Sequence, residues 1–139
     1  MGDYMEVKDS INVEEYQSIR KEIGWNDLPD DLIKRAIDHS MFNVSVYEDG
    51  VIQGVGRIVG DGALKGMLTD IMVPPRAQGK GVGKLIVTTL IKELEDMVKE
   101  GDSFQLEASP TSGNREFYIK CGLKYKPQNQ DGVYIWIRK

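Results

Sequence analysis

Apolar residues recur along this chain with two different periods, and the change of period outlines its secondary structure. A three-and-four spacing, typical of an amphipathic helix, covers residues 13–23, a segment after Pro29, and residues 82–99. Strand-like patterns cover residues 5–8, 42–46, 51–59, 67–73, 104–108 and 133–137. A further short helix is expected over residues 112–121, closed by Gly122.

Turn residues place the boundaries between these elements. Asp49-Gly50 predicts a hairpin turn, and Pro74-Pro75 stop the strand before them. Gly54 and Gly56, inside a strand, indicate a bulge or a close approach of another backbone. The element order β-α-α-β-β-β-α-β-α-β-β predicts an α/β fold, in which one domain over residues 1–139 contains a mixed, mostly antiparallel sheet flanked by helices on both faces.

Composition limits the classes of protein to which this chain can belong. Its 139 residues, 40% of them hydrophobic, suffice for one domain with a buried core. No apolar run approaches the about 18 residues of a membrane span, and the first residues lack a signal region. One cysteine and one histidine make a disulfide or zinc site unexpected. A net charge of -4 argues against a nucleic-acid surface. We therefore expect a cytoplasmic domain without membrane, nucleic-acid or metal partners.

The segment Gln78-Gly79-Lys80-Gly81-Val82-Gly83 lies between a predicted strand and a predicted helix. Three glycines at alternate positions let a ligand approach the backbone. The first N–H groups of the following helix, together with the helix dipole, favour an anion, and Lys80 and Lys84 add cationic side chains. The segment therefore predicts a phosphate or pyrophosphate site. The alternative is a tight connection that uses glycine only for its conformation.

Residue counting excludes two other phosphate-binding loops. A nucleotide-triphosphate loop requires Ser or Thr after Gly83-Lys84, where the chain has Leu85. The dinucleotide fingerprint requires a glycine at Lys84 or Ile86. The remaining pattern, Gln78-x-x-Gly81-x-Gly83, resembles the acyl-coenzyme A pyrophosphate signature of the GNAT superfamily of N-acetyltransferases.

A second segment resembles the same superfamily. Residues 114–123 look like its second landmark, an Asn followed by a Phe-Tyr pair and a Lys-x-Gly helix end, with Leu123 where the family usually has Phe. The matching segments run from about Tyr47 to Tyr125, and the element order is the GNAT order. The resemblance implies a small single-domain N-acetyltransferase that uses acetyl-coenzyme A and acts on a primary amine of a small molecule or peptide.

The resemblance also implies how the cofactor is held. The backbone of the strand before the loop would pair with the pantetheine arm like an added strand and supply an N–H to the thioester oxygen. A bulge that separates this strand from the next is implied as well, although nothing in the sequence shows it directly. The expected cofactor-binding residues are Ile71, Met72, Val73, Gln78, Gly79, Lys80, Gly81, Val82, Gly83, Lys84, Asn114, Phe117 and Lys120.

Three residues are expected to carry the chemistry. Tyr118 would protonate the departing thiolate, since a phenol is protonated at neutral pH; its alternative is a core residue with an exposed hydroxyl. Asp70 and Glu107 are candidate general bases, acting directly or through water, and each could equally be a hydrogen-bonded strand residue. His39 is expected at the surface. Cys121 is expected to be a buried structural thiol, so direct transfer in a ternary complex is predicted.

Other functions remain open at this stage. A non-catalytic acyl-coenzyme A sensor or interaction module would keep the cofactor site without activity, and a phosphate-sugar or nucleotide-binding protein is a third class. The sequence does not identify the acyl acceptor. Trp25 and Tyr47 are candidate residues of its pocket, with core packing as their alternative. The resemblance also makes a homodimer an expectation, with Tyr134 or Trp136 on the last strand as candidate contacts.

Overall fold

The helices and strands follow the predicted order. The computed structural model describes residues 4–110, 114–127 and 132–139. Within these residues the helices are α1 (Val13–Glu22), α2 (Asp30–Asp38), α3 (Val82–Met97) and α4 (Arg115–Lys120), and a short 3-10 turn covers Pro75–Ala77. The strands are β1 (Met5–Lys8), β2 (Phe42–Glu48), β3 (Val51–Gly60), β4 (Lys65–Met72), β5 (Ser103–Ala108), β6 (Lys124–Tyr125) and β7 (Val133–Arg138).

Some boundaries differ from the sequence prediction by about one turn or less. Helix α3 ends at Met97 rather than at residue 99, because Val98 is extended, and β4 begins two residues early, at Lys65. The predicted start of the last helix, at residues 112–113, lies outside the described residues. Helix α1 is followed by Gly24 at φ 87°, as expected for a helix-ending glycine.

The strands of the described chain form one sheet in the order β1-β2-β3-β4-β5-β7-β6. Only β4 and β5 run parallel; the other neighbouring pairs are antiparallel. The parallel pair arises because α3 connects β4 to β5, and parallel neighbours need such a crossover. The predicted mixed, mostly antiparallel sheet is confirmed.

Each face of the sheet buries its own apolar cluster. One cluster joins α3 to strand residues such as Ile58, Phe104 and Leu106. The other joins α1 and α2, through residues such as Ile19 and Ile33, to the opposite face of β3 and β4. Helices therefore flank the sheet on both sides, as predicted. In the described part of the chain, no helix is long and apolar enough to cross a membrane.

Helix α3 lies directly on the backbone of β3. A Cβ added at Gly54 would stand 2.9 Å from side-chain carbons of Val82 and Ile86, and one at Gly56 would stand 2.5 Å from Ile86 Cγ2. Both distances are shorter than van der Waals contact. The two glycines therefore permit the close approach that the sequence indicated.

A bulge in β4 interrupts its pairing with β3. Val55 pairs with Met72 and Arg57 with Thr69, so two residues of β4, Asp70 and Ile71, oppose the single residue Gly56. Asp70 has φ 53°, in the left-handed region that L-residues rarely adopt. This bulge is the one implied by the family resemblance.

Strands β4 and β5 separate at the same level of the sheet. Their pairing covers only residues 65–67 of β4 and residues 105–107 of β5. Beyond these residues β4 continues to Met72 along β3 alone. The fold therefore opens a cleft between the two parallel strands, next to the bulge.

We expect Gly56→Ala to destabilise the protein, because its Cβ would meet Ile86 of α3 and stand 2.7 Å from Ile71 Cδ1 in the bulge. Overpacking of this kind typically costs about 1–3 kcal/mol. Urea unfolding of the wild type, Gly56→Ala and Gly54→Ala measures the cost, with the greater loss expected at Gly56. Unchanged stability of Gly56→Ala would show that α3 can move off β3 freely.

Candidate active site

The loop before α3 has the backbone conformation of an anion cradle. Gly79 and Gly81 have φ 82° and 86°, and a Cβ built on either would meet nothing within 4 Å. Gly81 is the N-cap of α3 and no side chain caps the helix there, so the N–H groups of the first turn lack partners within the helix. These glycines provide both the turn geometry and open space beside the helix start.

Gly83 has a different purpose from the other two glycines of the loop. A Cβ at this position would stand 3.2 Å from Phe117 Cζ. The missing side chain therefore lets α4 pack closely against the first turn of α3. Phe117 is half-buried and packs against the core cluster of α3.

Two cavities, each of about 430 Å³, lie along the cleft. We call the one beside the glycine loop the loop cavity and the one along β4 the strand cavity. Both are bordered by Ile71, Val73, Asn114 and Tyr118, so they meet at these four residues. The loop cavity adds Ala77, Gln78, Gly79, Gly81, Val82, Gly83, Lys84 and Phe117. The strand cavity adds Ile23, Trp25, Met67, Leu68, Thr69, Asp70, Met72 and Ser109.

Most of the predicted cofactor-binding residues therefore border the loop cavity. Of the three predicted lysines, only one does. Lys84 lines it. The ammonium group of Lys80 instead lies 2.7 Å from Glu48 Oε1 at the end of β2. Lys120 is exposed and is not among the residues that line either cavity.

Gln78 holds the loop to the end of β4. Its Nε2 donates to the carbonyl oxygen of Val73 at 2.9 Å, across the 3-10 turn formed by Pro75–Ala77. The side chain of this signature residue is thus bonded to the protein's own backbone. Its contribution to the site is to fix where β4 ends and the glycine loop begins.

Tyr118 stands where the two cavities meet. Its residue is 9% exposed, and its ring makes an edge contact with Phe117 at 5.0 Å between centroids. Burial raises the pKa of the phenol, and the nearby Cys121 adds to that effect. The hydroxyl is therefore protonated at neutral pH, and the residue borders both cavities.

Asp70 is tied to two elements besides its own strand. Its Oδ2 accepts from the Tyr16 hydroxyl of α1 at 2.6 Å and from Arg57 Nε of β3 at 2.8 Å. The Asp70 and Arg57 side chains are 16% and 14% exposed. Arg57 Nη1 in turn donates to Ala36 O and Ser40 Oγ near the end of α2. The bulge is thereby anchored to α1, β3 and the α2 region at once.

Tyr16, Asp70 and Arg57 form a hydrogen-bonded cluster in which Tyr16 is a permanent donor. Burial first, and then the hydrogen bond to Asp70, raise the pKa of its phenol to about 12. The hydroxyl therefore keeps its proton throughout the neutral range and donates to the carboxylate. Of the cluster, only Asp70 lines the strand cavity.

The remaining candidate residues lie away from the cleft. Glu107 is ion-paired with Lys126 and is not among the residues that line either cavity. His39 is exposed after the end of α2, where its Nδ1 lies 2.8 Å from Arg35 O. Cys121 lines neither cavity, and burial raises the pKa of its thiol. His39 thus has the expected surface position, and Cys121 is half-buried.

Of the two aromatic candidates for an acceptor pocket, Trp25 lines the strand cavity. Tyr47 is buried in the cluster of α1 and α2 and donates its hydroxyl to Glu15, so core packing describes it.

Sequence reasoning missed Arg57 and the role of Tyr16 in the site. The available signal was the single charged residue in the predicted strand 51–59, since an arginine calls for a carboxylate partner when it is buried.

The chain is similar to known acetyltransferases over most of its length. The family model for the acetyltransferase (GNAT) family matches residues 10–123. An uncharacterized N-acetyltransferase, ycf52, from Porphyra purpurea is 27% identical over 139 residues, covering 97% of this chain and 78% of that protein. A probable acetyltransferase of unknown function from methicillin-resistant Staphylococcus aureus superposes with a TM-score of 0.76 at 23% identity, over 91% of this chain and 95% of that one.

A further solved structure with the same fold was obtained with a bound cofactor. N-acetylglutamate synthase from Neisseria gonorrhoeae, complexed with coenzyme A and N-acetyl-glutamate, superposes with a TM-score of 0.71 at 14% identity. The match covers 98% of this chain and 36% of that one. At this identity the likeness establishes the fold alone.

We expect Tyr16→Phe to destabilise the protein, because the substitution removes a buried donor to the Asp70 carboxylate while keeping the ring. Hydrogen bonds to charged groups contribute about 1.5–3 kcal/mol, and urea unfolding measures the loss. Tyr125→Phe is the matched control, since its exposed hydroxyl lies 3.3 Å from Glu116 Oε1 and its loss should change stability by less than about 0.5 kcal/mol. Equal effects of the two variants would contradict the anchoring role of Tyr16.

Proposed function

This chain belongs to the acetyltransferase (GNAT) family and is an acyltransferase, and we propose that it moves an acetyl group directly from acetyl-coenzyme A to a primary amine of a small molecule or peptide. The observation that carries the proposal is the position of Tyr118, a buried protonated phenol, where the loop cavity and the strand cavity meet. One cavity would hold the acyl donor and the other the amine.

The loop cavity has the features that a pyrophosphate requires. The sites of the missing Cβ atoms at Gly79 and Gly81 are open, the start of α3 offers backbone donors, and Lys84 adds a positive charge. Asn114 borders the cavity where the pantetheine arm would pass. Ile71 of β4 and Val73, just after β4, border it from the sheet, whereas Met72 lines the strand cavity. When bound, acetyl-coenzyme A supplies the activated acetyl group as a thioester. Lys80 and Lys120, which do not line the cavity, would act on the phosphates from its rim.

Tyr118 would serve as the general acid. Its raised pKa keeps the proton on the hydroxyl until the leaving sulfur develops charge. The backbone N–H groups around Ile71 and Val73 would stabilise the oxygen of the tetrahedral state. Because Cys121, the cysteine of the chain, lines neither cavity, we propose direct transfer rather than an acyl-enzyme.

The amine must lose a proton, and we propose Asp70 as the base, acting through a water in the strand cavity. It is the carboxylate that lines this cavity, although its Oδ2 is already bonded to Tyr16 and Arg57. Glu107 remains the second candidate, and a role for it would require release from Lys126. A cytoplasmic location and a homodimer through β7, on which Trp136 is exposed, remain predictions.

Calorimetry with acetyl-coenzyme A and a thiol-release assay with a panel of amines test the proposal. Cofactor binding with release of free thiol in the presence of an amine is expected. Binding without thiol release for any amine would favour the alternative, a non-catalytic acyl-coenzyme A sensor. Adenosine diphosphate binding as tightly as the whole coenzyme would indicate a nucleotide-binding protein instead.

Gly81→Glu should abolish cofactor binding, because it places a carboxylate beside the backbone donors at the start of α3. Isothermal calorimetry with coenzyme A measures the change. Gly101→Glu is the matched control: Gly101 has φ 89°, close to the 86° of Gly81, and a Cβ there also meets nothing within 4 Å. Both variants carry the same backbone strain, so only Gly81→Glu should lose affinity. Normal binding by Gly81→Glu would refute the pyrophosphate assignment.

Tyr118→Phe should leave cofactor affinity nearly unchanged and lower kcat, because it keeps the ring and removes only the acid. Loss of a general acid typically costs about 10²–10⁴-fold in rate, mainly in kcat when the proton is needed only in the transition state. Steady-state kinetics with one amine, with single-turnover measurements to establish that chemistry limits the rate, give the comparison. Wild-type kcat under that condition would exclude the acid role of Tyr118.

A further inference from the structure

The strand cavity contains almost no charge. Of the described residues that line it, Asp70 alone has a charged side chain, and it forms an ion pair with Arg57. No lysine, arginine or histidine is among these lining residues.

Apolar side chains share the rest of the lining with uncharged polar groups. Ile23, Ile71 and Val73 are half-buried around the cavity, while Trp25 and Met67 are 45% and 38% exposed. Large side chains exposed beside a concave site mark a surface that an apolar ligand would cover. The polar groups that interrupt it, such as Ser109, Asn114 and the Tyr118 hydroxyl, are uncharged.

Trp25 is held in place although it is exposed. Gly24 turns the chain at the end of α1, and the backbone N–H of Trp25 donates to Arg20 O at 2.8 Å. The Arg20 guanidinium lies over the ring, 5.1 Å from its centroid, and its Nη2 donates to Asn26 O. A tryptophan fixed in this way is preorganised, so a ligand that covers it avoids the entropic cost of ordering the side chain.

We propose that the acceptor is a monoamine carried on an uncharged aromatic or apolar body, and that Trp25 selects it. This inference rests on the proposed function and names the acceptor class of the same site. The amine would lie toward Asp70 and Tyr118, where the two cavities meet. Its apolar body would lie toward Trp25, Ile23 and Met67.

The charges of the site argue against the other acceptor classes. An amino acid or an amino-sugar phosphate would bring an anion into a cavity whose described lining offers no cation, and an unpaired buried charge is costly. A polyamine would bring further ammonium groups, whereas the one lining carboxylate is already paired with Arg57.

An acceptor panel tests the class. Initial rates by thiol release are measured with 2-phenylethylamine, tryptamine, L-glutamate, glucosamine 6-phosphate, spermidine and a short peptide with a free N-terminus. We expect kcat/KM for the two aryl amines to exceed the others by roughly 10²-fold or more, since unpaired polar groups are strongly rejected. A higher kcat/KM for any of the other acceptors would overturn the inference.

Trp25→Ala tests the selecting residue. It should raise KM for the aryl amines by about tenfold or more with kcat nearly unchanged, since it removes binding common to ground and transition states. Trp25→Phe should recover part of the loss. Trp136→Ala is the matched control, because Trp136 is similarly exposed, at 42%, also lies under an arginine, at 4.3 Å, and borders neither cavity. An unchanged KM in Trp25→Ala would refute the role of Trp25.

Calorimetry with coenzyme A distinguishes failure of the acceptor class from failure of the proposed function. If the coenzyme binds the wild type and Trp25→Ala equally but the aryl amines are not acetylated, the acceptor class is wrong and the proposed cofactor site stands. If the wild type does not bind the coenzyme, the proposed function fails first and the acceptor class fails with it.

Discussion

The site depends on the tie between Asp70 and its two donors, Tyr16 and Arg57. Strand β4 contributes to an antiparallel pair on one side and to a parallel pair on the other, and the cleft exists because the parallel pair ends early. A left-handed residue in a bulge is unfavourable by itself. Here the Asp70 side chain offsets that cost by accepting two hydrogen bonds from α1 and β3. The cleft between β4 and β5 and the positions of its lining residues follow from this local distortion.

A buried ion pair is stabilising only when its remaining polar groups are also satisfied. Arg57 is bonded beyond the ion pair, since its Nε donates to Asp70 and its Nη1 donates to Ala36 O and Ser40 Oγ. The pair therefore holds the bulge against the α2 region and at the same time cancels its own charge. That cancellation leaves the strand cavity with little net field, which distinguishes it from the loop cavity, where Lys84 and the start of α3 favour an anion.

The parts of the structure governed by local chemistry could be predicted from the sequence. Helix α3, the Asp49-Gly50 turn and the glycine loop each follow from residues close together in the chain, and all three were predicted. What could not be predicted depends on contacts between distant residues. Lys80 pairs with Glu48 on a strand 32 residues away, and Glu107 pairs with Lys126 across the sheet edge. Sequence spacing places these side chains near the site but does not decide which partner takes them.

The loop cavity and the strand cavity are lined by different parts of the chain. The loop cavity is bordered by three glycines, by the start of α3 and by Gln78, which is bonded to Val73 O. The strand cavity is bordered by residues of β4 and by Trp25 from the connection between α1 and α2. Trp25 contacts Arg20, which donates to Asn26 O in the same connection, whereas Asp70 is held by Tyr16 and Arg57. A substitution in that connection can therefore alter the strand cavity without disturbing α3 or the bulge. Under the proposed function, the residues that would hold the acyl donor are thus largely distinct from those that would choose the amine.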